Sequence, residues 1–189
     1  MKKKHIITIA GKPGSGKSTA SKAIATLLGF QHFSSGDFFR AIGKERGIDV
    51  FQANLVAEAE VDIDHLVDEK LRNLGLQEDN MVIDSRMAWH WMPYSFRVYL
   101  DLDLLVAAER ILESLDDARM EVEDIPQSPA DYAARLQARL DSEIKRYRSL
   151  YDVNPYNPAN YDLVIDTAVN RPEAVQNLIA EKFDQWIKS

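Results

Sequence analysis

Apolar residues in this chain gather into short runs separated by longer amphipathic stretches. Four runs read as buried strands: Ile6-Ile7-Thr8-Ile9-Ala10, Met81-Val82-Ile83, Phe96-Arg97-Val98-Tyr99-Leu100 and Leu163-Val164-Ile165. Their near-continuous apolar character suits a parallel sheet covered on both faces. A fifth candidate is Gln31-His32-Phe33. Between the runs, Lys17 to Leu28, Leu104 to Leu115, Ala130 to Leu150 and Pro172 to Ile187 read as helices. Strands alternating with helices predict an α/β sheet joined by crossover helices. The stretch from Gly36 to Leu76 reads as helical and holds no strand, so it is expected to be an insertion after the second strand. A second piece, Asp116 to Pro129, is acidic, contains two prolines and separates two helices. These two pieces are the candidate mobile lobes. No repeat and no low-complexity linker divides the chain, and its 189 residues fit one domain.

Composition narrows the partners. Lys and Arg number 23 against 30 Asp and Glu, a formal net charge of −7. That balance argues against sequence-blind binding to nucleic acid polymers or to an anionic membrane, while leaving room for a local basic site. The absence of cysteine excludes disulfides, thiolate zinc sites and cysteine nucleophiles. No apolar run approaches the ~18 residues of a membrane span. The short apolar stretch before Gly11 runs straight into a glycine-rich loop, so no signal peptide is expected. A cytoplasmic protein acting as a monomer on small molecules fits these features.

Residues Gly11-Lys12-Pro13-Gly14-Ser15-Gly16-Lys17-Ser18-Thr19 match the phosphate-loop pattern G-x-x-x-x-G-K-[ST] in full. Gly11, Gly14 and Gly16 allow the backbone to curl so that successive N–H groups, including that of Ser15, face phosphate oxygens. Lys17 reaches the β- and γ-phosphates of a bound nucleotide, and Ser18 offers a hydroxyl to Mg²⁺. A helix opening at Lys17 and Thr19 adds its positive end. The D-x-x-G and N-K-x-D motifs of a GTPase are both absent from the chain. A small-molecule kinase fits the size, needing a donor site, an acceptor lobe and a water-excluding lid. Further along, Asp84 directly follows Met81-Val82-Ile83, at the carboxyl end of a strand, where a carboxylate can hold Mg²⁺-bound water. Arg86 would then lie near the transferring phosphoryl group.

Taken with Ser35-Gly36-Asp37-Phe38-Phe39-Arg40, Asp84-Ser85-Arg86, Arg110, Arg139-Leu140-Asp141-Ser142-Glu143 with Arg146-Tyr147, and Tyr161 to Thr167, the loop resembles the nucleoside monophosphate (NMP) kinases. The likeness is greatest to the archaeal-type cytidylate kinases. The resemblance implies a P-loop NTPase-type parallel sheet of about five strands flanked by helices. It also implies a single kinase domain over residues 1–189, with an NMP-binding helical insertion at 36–78 and a lid segment at 116–129. ATP and Mg²⁺ are the implied co-substrate and metal, and CMP or dCMP the implied acceptor. Arg40 and Arg86 would grip the acceptor phosphate from two sides, and Ser35 would touch its base or sugar. Arg110 would lie by the donor nucleotide. Arg139 and Arg146 would bridge donor and acceptor phosphates, and Glu143 would contact the acceptor ribose.

Helical spacing bears on the last group independently. At ~100° per residue Arg135, Arg139, Glu143 and Arg146 form a narrow stripe beside Leu136, Leu140, Ile144 and Tyr147. The arginines either face a cleft or lie along the core as ordinary surface pairs. Asp37 likewise has two readings: a cap or start of a helix after Gly36, or the proton acceptor of a kinase acting on a hydroxyl such as shikimate or gluconate. Met87 stands where bacterial-type cytidylate kinases carry an acid. The following Met87 to Pro93 either lines a base pocket or is a packed loop leading into Phe96. Asp116 to Asp124 holds one arginine among five acids, where family lids carry several basic residues. That lid keeps open a nucleotide-binding regulatory protein without turnover.

Overall fold

β1 (Ile6–Gly11) is hydrogen-bonded on both edges and buried along its whole length. The computed structural model describes residues 2–38, 41, 61–115, 126 and 128–189. After β1 come α1 (Lys17–Leu28), β2 (Gln31–Ser34), α2 (Val61–Gln77), β3 (Met81–Asp84) and the one-turn α3 (Ala88–Trp91). Then follow β4 (Phe96–Asp101), α4 (Leu104–Ser114), α5 (Pro129–Tyr151), a 3₁₀ turn (Pro158–Asn160), β5 (Leu163–Asp166) and α6 (Pro172–Lys188). The five strands form one parallel sheet in the order β2-β3-β1-β4-β5. Ile6 of β1 aligns with Met81 of β3, and Gly11 with Leu100 of β4. Every strand therefore ends at the same edge, with Gly11, Ser34, Asp84, Asp101 and Asp166 as the last residues.

The two-residue period of a strand sorts β1 between two cores. Ile7 and Ile9 join Val82, Val98, Leu100 and Ile165 beneath Ile24 of α1 and Ile179 of α6. Ile6, on the opposite face, joins Met81 and Ile83 beneath Val67 and Leu71 of α2 and Ala88 and Met92. A smaller cluster packs Ala107 and Ala108 of α4 against Leu136 of α5. Local signals set the helix starts: Asp103 caps α4 by accepting from Leu105 N and Val106 N, and Ser128 caps α5 ahead of Pro129.

The predicted strands all form, including the run at Gln31, and the predicted helix ends lie within a residue of those observed. Residues 35–38 and 41 are helical, so Asp37 sits inside a first helical turn. The remainder of the expected insertion before α2, including Phe39 and Arg40, and residues 116–125 and 127 of the expected lid lie outside the described residues. Within the Met87 to Pro93 segment, Ala88–Trp91 form one helical turn. No described helix is long and apolar enough to cross a membrane.

Candidate functional site

The carboxyl edge of the sheet gathers the chemistry. β1 hands over directly to the phosphate loop, and Gly11 is required there: a Cβ on it would lie 2.3 Å from the Leu100 carbonyl oxygen of the adjoining strand. Gly16 precedes α1 in the left-handed conformation (φ 81°), which lets the loop turn into the helix. Ser15 is buried, its hydroxyl donating to the Lys12 carbonyl at 2.8 Å. Lys17 Nζ reaches back over the loop to the same carbonyl, also at 2.8 Å. Lys12 pairs with Asp101 Oδ1 at 2.8 Å, fastening the loop to the end of β4.

Ser18 and Asp84 meet at the end of β3. The Ser18 hydroxyl donates to Asp84 Oδ2 at 2.5 Å across the β1–β3 edge. Ser35 is drawn to the same strand end, its hydroxyl 3.3 Å from the Asp84 carbonyl. Beyond Asp84, Arg86 turns toward α5, where its Nε lies 3.0 Å from Glu143 Oε2. Arg139 approaches the other oxygen, Oε1, at 3.0 Å. Of the helical stripe, Glu143 is buried against Arg86, while Arg135 and Arg139 remain exposed. Both Glu143 oxygens are engaged by protein groups, where the resemblance had given it to a ribose. Arg146 is half-buried, with its guanidinium 5.3 Å from the Tyr147 ring centre.

Electrostatics couple these groups. Burial lowers the Lys17 pKa to about 8, with Arg86 and, more weakly, Arg139 adding to the effect; Asp84 and Glu143 pull it back up. The Arg86 guanidinium is held charged by Glu143, despite its burial. For Glu143, burial would favour the neutral acid, but Arg86 and Arg139 outweigh it and its pKa is lowered. One carboxylate, three cations and the Ser18–Asp84 pair therefore form a single charge network beside the phosphate loop.

On the other side of the loop lies a cavity of about 510 Å³, lined by Ser15, Gly16, Thr19 and Arg110 and by the 167–171 turn after β5. Arg110 donates from its guanidinium to the Thr167 carbonyl at 2.8 Å, which closes one wall. The structure brings Arg110 to this cavity, 57 residues from its partner in sequence. Three participants went unassigned in the sequence: Lys12, the cavity wall at Val169 and Asn170, and Tyr156, whose hydroxyl donates to Glu143 Oε2. The first lies at a variable position of the loop motif, and the others lie on turns without periodicity. Trp89 and Trp91 are not open to a base in this arrangement. Trp89 is buried and donates to the Arg86 carbonyl at 2.8 Å, and Trp91 donates to Asp68 at 2.9 Å.

Comparison with known proteins gives the family. Residues 10–125 match the AAA domain family AAA_17. The chain is 33% identical to a cytidylate kinase of Halobacterium salinarum, over 96% of this chain and 90% of that one. It is 35% identical to a cytidylate kinase of Haloarcula marismortui, with the same shares covered. Among solved structures, a shikimate kinase from Bacteroides thetaiotaomicron superposes with a TM-score of 0.63 at 15% identity, covering 95% of this chain and 98% of that one. That likeness is one of fold. The sequence relationship, running nearly end to end over the site just described, places this chain in the cytidylate kinase family.

Proposed function

We propose that the protein transfers the γ-phosphoryl group of ATP to a nucleoside monophosphate, CMP or dCMP, giving the diphosphate and ADP. The observation that carries this reading is the convergence of Lys17, Arg86 and Arg139 on one edge of the sheet, around a phosphate loop and a buried carboxylate. A phosphate monoester acceptor is already anionic near neutral pH, so no strong base is needed to activate it. The protein's task is to align two mutually repelling phosphates and neutralise charge during an in-line transfer. Lys17, with the N–H groups of Gly14, Ser15, Gly16 and Thr19, holds the donor phosphates, and the Arg110-walled cavity takes the rest of the donor. Arg86 and Arg139 face the acceptor phosphate, with Arg146, Ser35 and Arg40 completing that side.

Ser18 Oγ and Asp84 Oδ2 are hard oxygen donors held together beside the loop, the kind of pair that suits Mg²⁺ with its retained waters. Bound there, Mg²⁺ supplies positive charge to the phosphates being separated. Residues 36–78 act as the acceptor lobe and 116–129 as the lid of a single domain. The protein works as a monomer in the cytoplasm. These assignments rest on the family resemblance.

The test is ADP release from Mg-ATP against CMP, dCMP, UMP, AMP, GMP, shikimate and gluconate. Turnover with the cytosine monophosphates above all others is expected. Turnover confined to a hydroxyl acceptor, or ATP binding with no turnover, would replace this reading.

A further inference from the structure

Glu143 is 7% exposed, and a buried carboxylate is stable only when its lone pairs are answered. Arg139 Nε donates to Oε1. On Oε2 the situation differs. Arg86 Nε lies 3.0 Å away but makes no hydrogen bond, so the contact is a charge pair without direction. The directed bond on Oε2 comes from the Tyr156 hydroxyl, which also abuts the Arg86 guanidinium. Tyr156 therefore stands where the arginine after β3 meets the helix that carries Arg139.

The tyrosine is itself held from behind. Its N–H donates to Asn154 Oδ1 at 2.9 Å, and the Asn154 carbonyl accepts from Asn157 N at 3.2 Å and Asn160 Nδ2 at 2.9 Å. Its ring rests on the cluster of Ala10, Trp89, Tyr99 and Tyr161. Trp89 of that cluster donates to the Arg86 carbonyl, so phenol and arginine backbone share one support. Burial pushes the phenol pKa far above its ordinary value, which keeps it a hydrogen-bond donor at any working pH.

We propose that Tyr156 is a positioning residue for the acceptor-phosphate arginines, acting through Oε2 of Glu143 and not through the substrate. Arginine grips phosphate through directed, paired hydrogen bonds, so its value depends on orientation. Without the hydroxyl, Oε2 lacks its donor, and Arg86 is the nearest group able to replace it. Its guanidinium would then turn toward the carboxylate and away from the acceptor. The proposal rests on the phosphoryl-transfer reading given above.

The test is Tyr156→Phe in the full chain, with a readout that needs no turnover. In the ligand-free protein, the Arg86 Nε–H resonance should shift and exchange faster with water, while that of Arg97, bound to Asp162, stays unchanged. In steady state, the KM for CMP should rise about tenfold, as loss of one hydrogen bond to a charged group implies, with the KM for ATP little changed. Tyr156→Phe should add nothing further in a Glu143→Gln background. An unmoved Arg86 resonance overturns the proposal whether or not the wild type phosphorylates CMP. Equal rises in both KM values, or additive effects with Glu143→Gln, overturn it as well. A wild type inactive on every monophosphate, with the Arg86 resonance still responding, would sink the reaction assigned above and the acceptor role of these arginines with it.

Discussion

In the proposed reaction donor binding turns on Lys17, whose charge is conditional. Burial and the nearby Arg86 bring its pKa down to about 8. Above that pH the free protein carries a neutral amine where the triphosphate needs an ammonium, so ATP binding should weaken as pH rises through about 8. Calorimetry across this range should also show proton uptake on binding, because the phosphates restore the charge. Lys17→Arg should flatten the profile, since a guanidinium does not titrate there. A wild-type affinity constant up to strongly alkaline pH would count against this account. Lys17, Ser18 and the Arg139–Glu143 pair were all legible in the sequence, because a fixed loop motif and a helical repeat both convert spacing into geometry. Tyr156 was not, because it joins Glu143 only once the turns after α5 have folded back. Nothing in a run of Asn, Pro and Tyr says which ring points inward.

Among the elements, α2 packs on the sheet through Val67 and Leu71 and is tied further by one buried carboxylate. Asp68, 6% exposed, accepts from Trp91 Nε1 at 2.9 Å and from the Tyr151 hydroxyl at 2.5 Å, so a single carboxylate ties α2 to α3 and to the end of α5. Burial raises its pKa, partly offset by those two donors and by Arg72. Asp68→Ala would strand an indole N–H and a phenol, at a cost of about 2–4 kcal/mol. Asp68→Asn, which keeps an acceptor, should cost less. Urea unfolding of both variants decides this, and equal stability for wild type and Asp68→Ala would remove the tie. The helix boundaries were readable from periodicity and caps, whereas the Trp89-His90-Trp91 segment was left between base pocket and packing. Four residues are too few to show a period, and the partial burial of Trp91 depends on a helix more than ten residues away in sequence.

For the molecule as a whole, the net charge of −7 and a phosphate-binding edge are compatible because the cations that matter are concentrated around Glu143 and the loop. Ligands should therefore stabilise the fold appreciably. At a hundredfold excess over Kd, Mg-ATP should add about 2.7 kcal/mol, which for a chain of this size corresponds to a rise in Tm of roughly 5–10 °C. Scanning fluorimetry of wild type and Lys17→Ala checks this, and identical shifts in the two would mean that ATP binds elsewhere. The strand order carries a different consequence. β1 holds the middle of the sheet, yet it pairs only with β3 and β4, whose residues begin at Met81 and Phe96. On a ribosome, β1 is made well before either neighbour exists. Such distant pairing makes folding slow and late, and leaves Ile6 to Ala10 as the segment for a chaperone to shield in the meantime.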